Sequence, residues 1–596
     1  MKNLRFILLL AFIKVSISII ISTSYGKLNG KHVGEYHSFK HVPFAKPPIG
    51  ELRFQKPETV ELWNDVREAV DYGPACMSNS TWTKSPQKWV DEDCLHINIF
   101  TSNKCLKSKN CPVAVYIHGG ELSFDSAVMF NDTFMFDTFV KRDVVLLVPA
   151  FRLGIFSHFV VEDQSIAPTN LALYDILKSF EFVKSEVHNF GGDNKKITVF
   201  GHSYGGTISS MLTFSTEINQ DLSLFQKSVS MSGHQYFETL ELHMERAQRF
   251  AKHANCLVDP KQAETMTRSE QDRLTMKCLQ AKSGMELLRV QRSLEEAGYS
   301  DLKGVVLREP IFPKVKPMEL WNSPNKIPML TGCTKIEFDH EDEVIPLATV
   351  FGFDNPKECD EKYRKDLKEG TVGEQSSLKN YSKLVFADLV NHTDKTMAIT
   401  VPTKIRVNKL LENGIPVYLY EFTYPKHAKH ADDLYYIMGV HPFQEDENEI
   451  HLKKVYQDMF INFIKYGHPG DGFDRSNLEK SSYFDVYWNE TTGERPQMRN
   501  DFEKKVMDYW LKDMMEFDRK ITEEKKKSLE KPSLRYTKLD LSGSGMDQSS
   551  HLLFLIFMVL AVFIAGFFVG KCCSSRKDNL YVRLDGRNFE TVKHFE

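Results

Sequence analysis

Net charge is what this sequence most clearly lacks. Its formal net charge is only -4 over 596 residues, so it has no concentrated basic face of the kind that nucleic-acid-binding proteins present. Hydrophobic residues make up 42% of the chain and charged residues 26%. These fractions are ordinary for a globular protein and exclude only disordered and fibrous classes. Nucleic acid is therefore not expected among its partners.

Residues 552–570 lack charge altogether. As a helix they would extend about 28 Å, enough to cross most of the hydrocarbon core of a bilayer. Lys571, Arg576 and Lys577 follow directly, which is the charge pattern of a cytoplasmic flank. The sequence thus predicts a transmembrane helix at 552–570 and a cytoplasmic tail at 571–596. A lipid-anchor signal is not favoured, because such signals end in their hydrophobic segment.

The first 24 residues predict a secretory signal. Lys2 and Arg5 precede an apolar run at residues 6–13, the order found in signal peptides. Lys14 interrupts the run, which then resumes at residues 15–21, so an uncleaved anchor is the competing interpretation. With the C-terminal helix, a cleaved signal predicts a single-pass type I protein of the cell membrane whose main domain is extracellular or lumenal.

Eight of the ten cysteines lie between these two segments, where oxidation is permitted. The sequence alone leaves their connectivity open. The local candidates are Cys76 with Cys94, Cys105 with Cys111, and Cys256 with Cys278, while Cys333 and Cys359 either pair or stay free. Glycosylation sequons fit the same exterior location, and they begin at Asn79, Asn131, Asn380, Asn391 and Asn489.

Short β-rich apolar runs alternate with longer helical segments over residues 25–518. The runs are residues 113–117, 144–148, 197–200, 229–231, 329–331 and 417–420. Residues 171–187 show the pattern of an amphipathic helix. This alternation predicts an α/β domain with a mostly parallel central sheet and helices on both faces. Residues 519–551 are strongly charged at first and are interpreted as an extracellular stalk that begins as a solvated helix.

A short glycine-flanked motif, Gly201-His202-Ser203-Tyr204-Gly205, follows one of these strands and precedes a helix-compatible run at residues 206–212. The pattern GxSxG is weak evidence by itself, but a strand before it and a helix after it are the context of a nucleophile elbow. Small flanking residues allow a sharp turn that presents the serine hydroxyl, and the helix N-terminus stabilises negative charge. Ser203 is therefore predicted to be a nucleophile.

A serine nucleophile needs a histidine to take its proton and an acid to orient that histidine. In the order serine, acid, histidine, the candidates are Glu337 and His430, each of which lies beyond a predicted strand. Each also has a plainer interpretation, Glu337 as one of several surface carboxylates and His430 as one of three histidines with His427 and His441. The order of the residues favours a triad, which requires neither a metal nor an organic cofactor.

Further motifs make the sequence resemble the type B carboxylesterase and cholinesterase family over nearly the whole segment between its apolar ends. They are Val42-Pro43-Phe44-Ala45-Lys46-Pro47-Pro48-Ile49-Gly50, Leu52-Arg53-Phe54, Glu92-Asp93-Cys94-Leu95, Tyr116-Ile117-His118-Gly119-Gly120, Phe151-Arg152-Leu153-Gly154 and Phe190-Gly191-Gly192-Asp193. The resemblance implies an α/β-hydrolase fold and carboxylic-ester substrates. It also implies Ser203 as nucleophile, Glu337 as acid and His430 as base. His430 matches because His430-Ala431-Asp432-Asp433-Leu434 is similar to the family's His-Gly-x-Glu-Leu, and the family pairing supports Cys76–Cys94 and Cys256–Cys278.

The sequence departs from the family beside the expected oxyanion hole, whose donors by the resemblance are the backbone N–H groups of Gly120, Glu121 and Tyr204. Strong esterases of the family usually have a third glycine where Glu121 stands, and alanine where Tyr204 stands. A carboxylate about 4 Å from the oxyanion would repel it by roughly 3 kcal/mol at intermediate dielectric, about a hundredfold in rate. A Glu121 side chain turned toward solvent or toward a cation would largely avoid this repulsion. The Tyr204 ring is expected to crowd or reshape the pocket.

Two features argue against a cholinesterase. His202 replaces the elbow glutamate that favours cations in those sites. Neither Trp82 nor Trp89 has the spacing from Cys94 that the choline-stacking tryptophan has, so both are interpreted as packing residues.

Two functions remain after this comparison. The first is a membrane-anchored serine carboxylesterase that hydrolyses small-molecule esters through an acyl-enzyme. The second is a neuroligin-like adhesion or receptor protein with a cell-surface protein partner and weak or no hydrolase activity. Glu121 and Tyr204 motivate the second. The retained triad candidates favour the first, because neuroligin-type relatives commonly lack the catalytic serine.

Overall fold

Seventeen strands form the β structure of the described part of the protein. The computed structural model describes residues 18–78, 89–234, 237–299, 304–313, 315, 317–322, 324–339, 345–372 and 392–530. In chain order the strands are β1 (Ser18–Ser22), β2 (Lys27–Val33), β3 (Tyr36–Pro43), β4 (Val66–Ala69), β5 (Ala75–Cys76), β6 (Val90–Asp91), β7 (His96–Ser102), β8 (Cys111–Ile117), β9 (Val145–Pro149), β10 (Gly192–His202), β11 (Lys227–Met231), β12 (Phe237–Glu238), β13 (Val305–Val306), β14 (Met329–Thr334), β15 (Val417–Phe422), β16 (Tyr483–Val486) and β17 (Gln497–Arg499). The pairs β5-β6 and β12-β13 stand apart from the main sheet.

The main sheet has 13 strands in the order β1-β2-β3-β7-β9-β8-β10-β11-β14-β15-β16-β17, with β4 beside β2. The six strands predicted from the sequence are β9, β8, β10, β11, β14 and β15. They are consecutive neighbours, and every pairing among them is parallel. All residues of β9, β14 and β15 are buried, as expected for strands covered on both faces. The mostly parallel central sheet is thus confirmed, while the antiparallel pairs at its margins were not predicted.

Helices connect the parallel strands. The α-helices of the described residues are Asn103–Ser108, Asp132–Thr138, Ile155–His158, Leu171–Glu186, Tyr204–Phe214, Leu240–His253, Pro260–Ala263, Arg268–Ala281, Gly284–Glu296, Pro317–Leu320, Leu347–Phe351, Pro356–Val372, Asp394–Glu412, Leu434–Met438, Glu447–Tyr466, Lys504–Asp508 and Met515–Glu530. The predicted amphipathic helix matches Leu171–Glu186, and the helix predicted after Ser203 matches Tyr204–Phe214.

Two of the sequence motifs meet in a buried ion pair. Arg53 donates from Nε and NH2 to the two carboxylate oxygens of Glu92, at 2.5 and 2.6 Å. Its NH1 group also donates to the carbonyl oxygens of Leu279 and Lys282. Bidentate arginine–carboxylate pairs add geometric specificity. This pair therefore ties the N-terminal segment and the Cys94 region to the end of helix Arg268–Ala281.

Three disulfides are present: Cys76–Cys94, Cys105–Cys111 and Cys256–Cys278. They match the local pairs considered from the sequence. Of the two open alternatives for Cys333 and Cys359, the structure has both side chains buried as free thiols.

The predicted terminal segments extend largely beyond the described residues. Strand β1 lies inside the predicted signal and pairs with β2, so the sheet begins at Ser18 and not after residue 24. The compact unit containing the sheet extends through Lys525, and the second unit, 526–596, is described only as far as Glu530. Among the described residues, no helix is long and apolar enough to cross a membrane. The predicted helix at 552–570 lies outside that range.

Two of the five sequons can be located. Asn131 is exposed and caps helix Asp132–Thr138, where its side chain accepts a hydrogen bond from Phe134 N. Asn489 is half-buried. Asn79, Asn380 and Asn391 lie outside the described residues, as does Trp82.

Candidate active site

Ser203 occupies a sharp turn between β10 and helix Tyr204–Phe214. Its φ of 55° and ψ of -126° are strained values for a residue with a side chain. The turn is held by a 2.9 Å hydrogen bond from Ser203 N to the carbonyl oxygen of Met231. A Cβ atom at Gly205 would overlap the carbonyl oxygen of Ile117 on β8, so only glycine fits there. The sequence thus folds locally into the strand–turn–helix arrangement of a nucleophile elbow.

The three triad candidates lie in one continuous chain of hydrogen bonds. His430 Nε2 is 2.8 Å from Ser203 Oγ, and His430 Nδ1 is 2.5 Å from Glu337 Oε2. The alternative base, His427, is committed elsewhere. Its Nδ1 bonds to Glu449 and its ring stacks on Phe443. The structure therefore brings together the serine, acid and histidine that the sequence order selected.

Glu337 is fixed by groups that the sequence did not single out. Its Oε1 accepts hydrogen bonds from Ser232 Oγ at 2.6 Å and from Thr334 N at 2.9 Å. Its backbone carbonyl accepts a 2.6 Å bond from His430 N. Only 1% of Glu337 is exposed, so these donors supply the partners that a buried carboxylate needs. Ser232 directly follows β11, and its position beyond a parallel strand is the signal that points to it.

The electrostatics of His430 favour its protonated form. Burial by itself lowers the pKa of His430. The negative charge and hydrogen bond of Glu337 outweigh that effect, with help from Asp433 and Glu121, and raise the pKa above its ordinary 6.5. The ring also stacks on Phe338, with centroids 4.8 Å apart. A base of this kind accepts a proton readily and holds it next to Ser203.

The other side of Ser203 is formed by the turn that follows β8. A Cβ atom at Gly119 would lie 2.9 Å from the carbonyl oxygen of His202 and 3.1 Å from Ser203 Cβ, so glycine allows this close approach. Gly120 and Glu121 both have positive φ, 89° and 55°. Tyr204 is in the first turn of its helix, where N–H groups have no intrahelical acceptor. Gly120, Glu121 and Tyr204, the three residues predicted to supply oxyanion donors, all line the same cavity as Ser203.

A cavity of about 340 Å³ opens onto Ser203. Its apolar lining includes Phe338, Ile345, Pro346, Val350, Ile399 and Leu434. Its polar lining includes Glu121, Asp125, His202, Lys395 and His441. An apolar pocket with a few convergent polar groups is typical of small-molecule sites.

Asp125 is a cavity residue that the sequence did not reveal. It is 7% exposed, and burial raises its pKa to about 7, although a hydrogen bond from the Ser126 backbone opposes the shift.

No group of histidine, cysteine, aspartate or glutamate side chains within the described ranges is arranged to hold a metal ion.

Comparison with known proteins agrees with this geometry. The carboxylesterase family model matches residues 17–517. Carboxylesterase 1C of Mus musculus is 27% identical over 498 residues, covering 76% of this chain and 86% of that protein. Liver carboxylesterase 1 of Mus musculus is 28% identical over 557 residues, covering 82% and 92% respectively.

Solved structures show the same architecture. A PNB esterase has a TM-score of 0.63 at 24% identity, covering 82% of this chain and 98% of the other. Juvenile hormone esterase from Manduca sexta has a TM-score of 0.63 at 20% identity, covering 85% and 100%. With the mostly parallel sheet, these similarities establish an α/β-hydrolase fold. Because the family match spans nearly all of the described domain, the chain belongs to the carboxylesterase family.

Proposed function

We propose that this protein is a serine carboxylesterase that hydrolyses carboxylic esters through an acyl-enzyme. Ser203 is the nucleophile, His430 the general base and Glu337 the acid that orients it. The observation that carries the proposal is the unbroken chain of hydrogen bonds from Ser203 Oγ through His430 to Glu337. Membership of the carboxylesterase family supports the same reaction class.

Acylation follows from this arrangement. Ser203 Oγ attacks the ester carbonyl carbon while His430 Nε2 takes the hydroxyl proton. The N–H groups of Gly120, Glu121 and Tyr204 hold the carbonyl oxygen as it becomes an oxyanion. The tetrahedral intermediate collapses, the C–O bond to the alcohol breaks, and His430 returns the proton to the departing alkoxide. Water then repeats the sequence against the acyl-enzyme and releases the acid.

Glu121 limits the rate in this proposal. Glu121 lines the cavity, and its carboxylate is close enough to His430 to contribute to the raised pKa of that ring. The same negative charge opposes an oxyanion on the neighbouring N–H groups. Glu121 therefore favours the protonated base and disfavours the intermediate, so the enzyme is expected to be slower than relatives with glycine at this position.

The proposed location is the cell surface. A secretory signal that ends before strand β1 at Ser18, together with a transmembrane helix at 552–570, would give a type I membrane protein whose hydrolase domain and following stalk lie outside the cytosol. Three disulfides and the exposed sequon at Asn131 support an oxidising exterior. Surface biotinylation and enzymatic deglycosylation of the full-length protein test it. A chain that is inaccessible to the reagent and unchanged in mass contradicts this location.

The decisive test of activity compares the wild-type ectodomain with Ser203→Ala. The wild type should react with a fluorophosphonate probe and hydrolyse a simple aryl ester. Ser203→Ala should do neither above background. His427→Gln serves as a matched histidine control and should retain labelling. An unlabelled wild type with the same rate as Ser203→Ala would reject hydrolysis.

The second candidate function is cell adhesion without strong catalysis. The observation that favours it is that Glu121, an acidic residue at a predicted oxyanion position, lines the cavity at Ser203. Cells that display the full-length protein would then aggregate or capture a surface partner, and Ser203→Ala would do so equally well. Absence of aggregation and of ectodomain binding to cells, together with ester hydrolysis, decides against adhesion.

A further inference from the structure

Four buried polar atoms near Ser203 have no hydrogen-bond partner among the described residues. They are Tyr116 Oη, Asp125 Oδ1, His202 Nε2 and Asp433 Oδ1. Their residues are 0%, 7%, 2% and 0% exposed. Buried polar groups in folded proteins nearly always bond to protein or to ordered water. Four such atoms in one neighbourhood call for a shared partner.

The four residues form one cluster. His202 Nε2 lies 3.8 Å from Asp433 Oδ1, beyond a direct hydrogen bond but within the range at which a bridging water is considered. Burial raises the pKa of Tyr116, and Asp125 and Asp433 raise it further. Both carboxylates are therefore within electrostatic range of its hydroxyl group.

The cluster adjoins the catalytic base. The rings of His202 and His430 have centroids 4.8 Å apart. Asp433 is held on its other side, where Tyr456 Oη donates a 2.6 Å hydrogen bond to Oδ2. Tyr456 Oη also lies 3.0 Å from Tyr420 Oη. Asp433 is thus fixed in place, and its Oδ1 remains directed to the cluster.

We infer that His202 and Asp433 are a positioning pair for His430, bridged by water that Tyr116 and Asp125 also hold. Neither residue touches the ester. The pair confines the His430 ring, and its charge sets how readily that ring takes the proton of Ser203. Since it acts on the same base, the inference rests on the proposed function.

The pKa shifts of His202 and Asp433 support this role. Burial lowers the pKa of His202 well below 6.5, and His430 and His441 lower it further, so His202 is neutral at physiological pH. Burial raises the pKa of Asp433 to about 7, against the opposing bond from Tyr456. Ionised Asp433 in turn helps to raise the pKa of His430. The charged or titratable groups that act on these residues are Glu121, Glu337, Asp432, His441 and Tyr456.

The test combines a crystal structure with pH–rate profiles of the active ectodomain. The crystal structure should show ordered water within hydrogen-bond distance of both His202 Nε2 and Asp433 Oδ1. Asp433→Asn should shift the acid limb of kcat/KM to lower pH by roughly half a unit, because a carboxylate that favours protonated His430 is removed. It should also lower kcat roughly tenfold with little change in KM. Asp433→Glu should restore the limb.

Asp432→Asn is the matched control. It removes the same charge from the adjacent residue, which is not among the main influences on the pKa of His430, so its acid limb should lie much closer to that of the wild type than the limb of Asp433→Asn does. An Asp433→Asn profile equal to that of the wild type, or a crystal structure without the bridging water, overturns the inference. Fluorophosphonate labelling distinguishes failure of the proposed function from failure of the positioning pair. An unlabelled wild type overturns the proposed function as well, whereas a labelled wild type with an unchanged profile overturns the positioning pair alone.

Discussion

The two sides of Ser203 differ in how well their residues suit ester hydrolysis. On the side of His430, every hydrogen-bonding atom of the Glu337 carboxylate has a partner. On the side of the turn after β8, Glu121 lines the cavity at the position where strong esterases of the family usually have glycine. Activation of the serine and stabilisation of the oxyanion are thus carried by separate segments.

The largest expected effect lies on the triad side. Ser203→Ala should lower kcat/KM for an aryl ester by about 10⁴-fold or more and abolish fluorophosphonate labelling, because no other hydroxyl accepts the acyl group. Steady-state kinetics and gel-based labelling measure it. A loss smaller than tenfold would mean that another residue is the nucleophile.

Next in size is Glu337→Gln, with an expected loss of about 10³- to 10⁴-fold in kcat. The amide keeps the shape of the side chain but removes the charge that stabilises protonated His430. Ser232→Ala removes only one donor to Glu337 and should lower kcat by roughly tenfold. Equal losses in the two variants would indicate misfolding, which the thermal midpoint of each variant checks.

On the oxyanion side of Ser203, a substitution is expected to raise kcat instead of lowering it. Glu121→Gly should raise kcat by about tenfold to a hundredfold with little change in KM, since a charge that repels the oxyanion is removed. Glu121→Gln separates charge from size and should give most of the gain. An unchanged or lower kcat in both variants would show that Glu121 does not limit the rate.

A smaller effect concerns the base. Glu337, Asp433 and Glu121 raise the pKa of His430 above 6.5 against the effect of burial, so the acid limb of kcat/KM should lie above pH 6.5. In Glu121→Gln the limb should move down by a few tenths of a unit, because one of the charges favouring protonation is gone. A pH–rate profile measures the shift. A limb that moves upward contradicts this account.

The smallest effect is on stability. His118 and His158 are buried, and burial lowers the pKa of each to about 4. Between pH 6.5 and 4 the unfolded chain binds more protons at these sites than the folded chain, so stability falls as pH falls. From pH 7 to pH 5 the loss is about 2 kcal/mol for each histidine. The thermal midpoint should drop over this range, and by less in His118→Gln.

Much of the fold could be predicted because the central strands contain short, β-rich apolar runs. β9, β14 and β15 are buried along their whole length, and such runs stand out in a sequence. The strands near the edges of the sheet have no such pattern. β1 has mostly exposed or half-buried residues, and it coincides with the apolar run of the predicted signal. Local composition therefore did not distinguish a sheet edge from a targeting segment.

The residues of the candidate site likewise divide into those that the sequence revealed and those that only the structure revealed. Ser203, Glu337 and His430 followed from a short motif and from their order along the chain. Asp125 carries no local signature, and Ser232 is marked only by its place directly after β11. Their roles arise from contacts between separate strands and turns.

By itself the sequence determined the alternation of strands and helices, the elbow at Ser203, and the residue types beside it, because these depend on local spacing and composition. The sequence also favoured His430 over His427 through its resemblance to the family motif. The tertiary structure showed the physical reason, because His427 is held by Glu449 and Phe443 while His430 lies against Ser203. It also decided that Glu121 lines the cavity and that His202 lies against Asp433. Both depend on the close approach of distant segments, which local sequence does not encode.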